Sequence, residues 1–190
     1  MTRVVLLAGP SGGGKSRLAH VTGALPLRLD DFYLDADHPD LPRAHGIVDW
    51  DDPATWDASG AVAALTALVH EGRALVPSYS IAESRRVGMH ELTLDGRGLV
   101  VAEGIFAIEL LPHARAAGLQ VEPVYLDRSR WLVGLLRLRR DLAQRRKPPL
   151  VLLRRGWALL RAQPGLKRRA LAAGFRPMRM QTAVRLLGRA

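Results

Sequence analysis

Short runs of consecutive apolar residues alternate along this chain with stretches whose apolar positions recur at helical spacing. The first run, Arg3 to Ala8, predicts a buried strand, and Lys15 to Thr22 after it predicts a helix. Pro26 to Leu29 predicts a second short strand, ending at Asp30-Asp31. Pro- and Asp-rich loops fill Asp35 to Pro53. A helix is expected from Ala54 to Glu71, with Val62, Leu65, Leu68 and Val69 on one face and Gly72 as its stop. Ala74 to Tyr79 and Glu91 to Leu94 predict strands near a turn at Asp95-Gly96. Leu99 to Ala102 and Val121 to Leu126 have the unbroken apolar character of strands covered on both faces. Ser129 to Arg146 predicts an arginine-rich helix stopped by Pro148-Pro149. Leu150 to Ala190 predicts two or three basic helices broken near Pro164-Gly165 and Gly174 to Pro177. The alternation implies an α/β fold, a mostly parallel β-sheet flanked by helices, in one domain.

Composition narrows the class. With 190 residues, 48% of them apolar, the chain can bury one core. No apolar run is long enough to span a bilayer, and Val4 to Gly9 is too short for a signal sequence, so a soluble cytoplasmic protein with no membrane partner is expected. There is no cysteine, hence no disulfide framework and no thiolate metal site, and the six histidines show no paired ligand spacing. The net charge of +10 is unevenly placed: Asp141 is the lone acidic residue after Asp127. Early carboxylates and late arginines suit a site where acids handle metal and protons while cations cover phosphates. A basic tail equally suits nucleic acid or an anionic membrane surface, and composition does not choose between these.

The candidate chemistry begins directly after the first strand. Gly9-Pro10-Ser11-Gly12-Gly13-Gly14-Lys15-Ser16 fits the phosphate-cradling pattern Gly, four residues, Gly-Lys-Ser, and so predicts a P-loop NTPase fold. Backbone N–H groups of Gly9, Ser11, Gly12, Gly13 and Gly14 would face the phosphates of ATP, Lys15 would reach the β and γ groups, and Ser16 would hold Mg²⁺. Ligands in such sheets lie beyond the carboxyl ends of the strands, where the loop, Asp30 and Glu103 all emerge. Taken alone, Asp30-Asp31 would read as a capping pair in a loop. Behind a phosphate loop, a carboxylate there can instead accept the proton of an attacking hydroxyl.

The ordered set of motifs resembles the uridine/cytidine kinase branch of the phosphoribulokinase-type P-loop kinases, over about residues 3 to 149. Asp30-Asp31-Phe32-Tyr33 is similar to that family's Asp-Ser-Phe-Tyr, which implies Asp30 as catalytic base with Tyr33 beside the acceptor. Asp49-Trp50-Asp51-Asp52-Pro53 resembles Asn-Phe-Asp-His-Pro, which implies Asp51 on the ribose hydroxyls. Pro77-Ser78-Tyr79-Ser80 resembles the segment that contacts the nucleoside, implying a role for Tyr79. Glu103-Gly104-Ile105 matches the family's Glu-Gly-Ile, its Glu103 near Mg²⁺. Arg137, Arg140-Asp141, Arg145 and Lys147 follow the spacing of the family's arginine-rich lid, about 137–149, implying Arg137 and Arg140 on the transferring phosphate and Arg145 on the nucleotide. Ser84 stands where the family has a pyrimidine-recognising histidine, and Arg86 keeps a later arginine position.

The resemblance implies an ATP- and Mg²⁺-dependent transferase acting on the 5′-hydroxyl of a nucleoside, uridine or cytidine first. A kinase of another small metabolite, such as a sugar or pantothenate, is the second reading. A nucleic-acid-dependent ATPase is the third, drawn from Arg154, Arg155, Arg168 and Arg169. Only Trp157 and Phe175 are aromatic after Pro149, which argues against a base-stacking platform. A homo-oligomer is compatible with the sequence.

Overall fold

The computed structural model describes residues 2–44, 46–129, 131–136 and 164–188. Five parallel strands form the central sheet in the order β2-β7-β1-β8-β9, with β1 at Arg3–Ala8, β2 at Leu25–Arg28, β7 at Leu99–Glu103, β8 at Val121–Leu126 and β9 at Arg176–Met178. Registers Val5↔Val101 and Leu7↔Val124 place β1 in the middle, which is why its residues from Val4 to Ala8 are all buried. Side chains alternate across the two faces. Val4, Leu6, Leu27 and Val100 pack with α2 (Ala58–Glu71) and α3 (Ala107–Ala116) on one side. Val5, Leu7, Leu99 and Val101 pack with α1 (Lys15–Val21) and the C-terminal helix Met180–Leu187 on the other.

Several expectations are corrected. The helix expected from Ala54 begins at Ala58, because Pro53–Thr55 forms a separate 3₁₀ turn and the Asp57 carboxylate accepts from Gly60 N at 2.8 Å to start the helix. The Pro/Asp-rich loop contains a two-residue hairpin of β3 (Arg43–Ala44) with β4 (Ile47–Val48). The two strands placed near Asp95-Gly96 are β5 (Arg73–Ser80) and β6 (Arg85–Thr93), an antiparallel pair whose reversal lies at residues 81–84. Asp95-Gly96 instead leads from β6 into β7, with Arg97 N donating to Leu94 O at 2.8 Å. Helix α3 escapes the periodicity reading because Pro112 sits inside it.

The basic C-terminal region is not wholly helical. Residues 164–172 are helical from Pro164 onward, and Arg176–Met178 then adds β9 beside β8, burying Phe175 and Met178. A three-residue strand with Pro177 at its centre carries no period that sequence reading could find; its partner does the specifying. The tail is tied to the body by Lys167 to Asp127 at 2.7 Å and by a short contact of Arg169 with Glu109. Of the expected helix from Ser129 to Arg146, residues 131–136 are described and helical.

Candidate active site

The phosphate loop is built by the end of β1. Gly13 N donates to Pro10 O at 2.9 Å, closing the turn. Gly14 holds φ at +94°, a left-handed conformation that glycine adopts without the penalty a side chain would bring, and a Cβ there would lie 3.0 Å from Met180 Cε. Lys15 follows, 8% exposed, its ammonium donating to Gly9 O at 3.1 Å and Pro10 O at 3.4 Å, so its charge lies folded over the loop. Ser16 Oγ donates to Glu103 Oε1 at 2.6 Å, joining the first helical turn to the end of β7.

Asp30 enters from the neighbouring strand. β2 ends at Arg28 and passes into the 3₁₀ turn Leu29–Phe32, and the Trp56 indole N–H donates to Leu29 O at 2.8 Å, pinning the residue before Asp30. Gly104 makes the approach sterically feasible: a Cβ there would lie 2.7 Å from Leu29 Cβ and 3.0 Å from Asp30 Oδ1. Among the described residues, that Oδ1 is buried and accepts no hydrogen bond. Burial and the neighbouring Glu103 carboxylate raise the Asp30 pKa, against the opposing pull of Lys15, Arg28 and the Ile105 N–H. Asp31 turns the other way. It is 7% exposed, lies 3.6 Å from Arg28, and is pushed up by burial while Arg28 and the Tyr79 N–H work in the opposite direction.

Lys15, Ser16, Asp30 and Glu103 line one cleft of about 790 Å³, together with Ser11, Gly12 and Gly14. Three strand ends thus deliver an ammonium, a hydroxyl and two carboxylates to one space. Its walls also carry the cations Arg17, Arg28 and Arg97, together with His20, none of which the sequence reading placed there. Arg28 had a signal, since it ends the strand that leads directly into Asp30. Arg97 lies before β7 in sequence, and only the fold brings it round. Arg128 was also missed; its Nη2 is 3.8 Å from the position of a Gly14 Cβ.

The residues expected around the acceptor gather beside the cleft rather than in its lining. The Tyr33 ring meets Trp50 at 5.4 Å, Tyr79 at 5.7 Å and Phe106 at 5.6 Å, pairs each worth about 0.5–1.5 kcal/mol beyond burial. Its hydroxyl donates to Trp50 O at 3.0 Å, and burial with the nearby Asp30 and Asp51 charges raises its pKa. Tyr79 donates to Leu34 O at 3.1 Å, its pKa pushed up to about 12, chiefly by burial. Asp51 is exposed. Ser84 has φ +51° and its carbonyl accepts from Ala36 N at 2.8 Å. Arg86 holds the hairpin to the body: its guanidinium reaches Asp57 Oδ2 at 3.1 Å, and its N–H donates to Asp35 Oδ1 at 2.7 Å. Although burial pushes Asp57 up, the Gly60 N–H, the Ser59 hydroxyl and Arg86 bring it below the usual carboxylate range. Arg137, Arg140 and Arg145 lie outside the described residues.

No family model matches the chain. Over 150 residues, 75% of this chain, it is 28% identical to a uridine kinase of Saccharomyces cerevisiae, and the match spans 29% of that protein's length. Among solved structures, a candidate fructose transport system kinase from Silicibacter sp. TM1040 superposes with a TM-score of 0.60 at 19% identity, covering 94% of this chain and 88% of its own. The fold is that of the P-loop kinases. The YGR205w protein shares it, with a TM-score of 0.52 at 15% identity over 95% of this chain and 87% of its own. The 28% identity to a named uridine kinase agrees with the motif resemblance, on a parallel sheet whose strand ends converge on the phosphate loop. No described helix is long and apolar enough to cross a membrane.

Proposed function

We propose that this P-loop kinase transfers the γ-phosphoryl group of ATP to the 5′-hydroxyl of a nucleoside, uridine or cytidine first. The observation that carries the reading is the Asp30 carboxylate, its Oδ1 buried and without a hydrogen-bond donor, in the same cleft as Lys15 and the phosphate loop. The acceptor oxygen bonds to the γ-phosphorus, the bond to the β-phosphate oxygen breaks, and the hydroxyl proton passes to Asp30. A raised pKa suits that task, since it brings the base nearer to the proton it must take. Lys15 neutralises charge developing on the phosphate oxygens, and Arg137 and Arg140 are assigned the same role by resemblance. Ser16 Oγ and Glu103 Oε1, 2.6 Å apart, form an all-oxygen pair that fits Mg²⁺, an ion held by one or two protein oxygens with phosphates and waters. Bound there, the ion would neutralise phosphate charge and help orient the transferring group.

Tyr33 and Tyr79 provide the flat surface for a base, Asp51 the acceptor for ribose hydroxyls, and Ser84 and Arg86 the rim. Two observations favour the second reading, a different small hydroxylated metabolite: Ser84 replaces the histidine that reads a pyrimidine, and Arg86 is already paired with Asp57. Incubating the protein with labelled ATP, Mg²⁺ and a panel of nucleosides, sugars and pantothenate separates the two. A new phosphomonoester on uridine or cytidine supports the first. Phosphorylation of a sugar or pantothenate alone overturns the nucleoside assignment while keeping the transferase, and ATP hydrolysis without any acceptor product overturns both.

A further inference from the structure

The cleft continues past the groups that handle phosphate. Lys15, Ser16, Asp30 and Glu103 gather at one end, where β7 finishes, whereas Arg97 stands before the start of that strand. Because Leu99–Glu103 rises about 3.3 Å per residue, the Arg97 backbone joins the wall at least ~13 Å down the sheet from Glu103, away from the loop. Arg17 and His20, three residues apart on one face of α1, line the same space, as does Arg28 at the end of the edge strand β2. Arg28 is shared with Asp31 at 3.6 Å, while Arg17 and Arg97 are exposed and have no ion pair among the described residues. Both carboxylates of the cleft, Asp30 and Glu103, lie at its phosphate end. The remaining arm is therefore cationic, and no Phe, Tyr or Trp is among its described lining residues.

We infer that this arm holds the phosphodiester backbone of a nucleic-acid strand and that the acceptor is the hydroxyl at the strand's 5′ end, an inference that rests on the phosphotransferase reading above. A row of guanidiniums fits a chain of anions better than a single phosphate group, and ~13 Å takes about four phosphates at the ~3.4 Å spacing of a stacked strand. The terminal nucleoside occupies the place proposed for a free one. Its 5′ oxygen bonds to the γ-phosphorus, the bond to the β-phosphate oxygen breaks, ADP leaves and the hydroxyl proton passes to Asp30. Nothing in the arm reads bases, since contacts to a phosphate backbone position a strand without carrying sequence information. Ser84, standing in place of a base-reading histidine, belongs to the same pattern. A free nucleoside is then a truncated substrate, without the charges that would hold it in place. The chain's net charge of +10 draws such a polyanion toward the cleft.

The test offers saturating labelled ATP and Mg²⁺ with uridine, uridine 3′-phosphate, or mixed-sequence tetranucleotides of RNA and DNA that end in a 5′-hydroxyl. The better tetranucleotide should exceed uridine in kcat/KM about 100-fold or more. Three arginine contacts give a slope of about −2 in log affinity against log salt, so going from about 50 to about 200 mM salt should raise the strand's KM about 20-fold and uridine's little. Arg97→Ala, at an exposed position away from the loop, should raise the strand's KM about tenfold and reduce that slope by about 1, with uridine turnover and the melting temperature unchanged. Uridine used as well as the tetranucleotides overturns the inference and leaves the proposed function intact. Equal use of uridine 3′-phosphate and the tetranucleotides reduces the arm to a one-phosphate site and overturns the strand. A tetranucleotide KM that ignores both salt and Arg97→Ala overturns it as well, because the strand then lies elsewhere. No phosphomonoester on any acceptor overturns the transferase reading and this inference together.

Discussion

Asp30→Asn should make this protein more stable and less active at once. The substitution keeps the side-chain volume and removes the charge from a carboxylate wedged against Gly104, facing Glu103, with Oδ1 accepting no hydrogen bond among the described residues. A buried polar atom left unmet costs roughly 1–3 kcal/mol, and more when it is charged. The amide does not cure the unmet position, so the gain is the charged part alone, about 1 kcal/mol, or a rise in Tm of about 2–4 °C for a chain of this size. The dependence on pH has a definite sign. Because the folded-state pKa lies above the ordinary value near 3.8, the folded protein holds its proton to higher pH than the unfolded chain does. Wild type therefore loses stability as pH rises from the unfolded value through the raised folded one, and loses no more beyond it. The variant lacks this slope, so the two melting temperatures should converge at low pH and separate toward neutrality. Turnover should fall about 100- to 10,000-fold, the usual range for a lost general base, while ATP binding persists. Calorimetry across pH and an ADP-release assay supply the readouts. A variant that melts below wild type at neutral pH, or by an offset that ignores pH, refutes the electrostatic account; full turnover refutes the base.

Lys15→Ala removes an ammonium that lies over the loop carbonyls; nucleotide affinity should drop about 10- to 100-fold, the value of a charge-assisted contact, as read by titration with a fluorescent ATP analogue. Gly104→Ala forces a methyl group against Leu29 and Asp30, and denaturant unfolding should show a loss of about 1–3 kcal/mol. In that variant turnover should fall while nucleotide binding stays near wild type, because the displaced group is Asp30 and not the loop.

The parts legible in the sequence are those whose specification is local. The strand Arg3–Ala8 followed by glycines and Lys15 contains its own instructions, and the structure brings Lys15, Ser16, Asp30 and Glu103 into one cleft from three separate strand ends. The hairpin of β5 and β6 was half legible: its strands have β-prone residues, but the reversal at 81–84 lacks a compact Asn-Gly or Asp-Gly signal, whereas Asp95-Gly96 displays one and only changes direction. β9 was invisible because three residues become a strand only when β8 offers an edge. Arg97 comes to the cleft wall, and Arg128 and Met180 to Gly14, through the folding of distant segments, and nothing within their own neighbourhoods announces it.

The placement of β9 also bears on how the molecule is made. Synthesis delivers β1, the phosphate loop and β8 early, while the strand that completes the sheet arrives about fifty residues after β8, with Met180 immediately behind it. Until then the flank of β8 is bare and the glycine-rich turn lacks one of its walls. A nascent chain therefore possesses the residues that grip a nucleotide before it possesses the enclosure that shapes their grip, and the fold matures from the centre of the sheet outward.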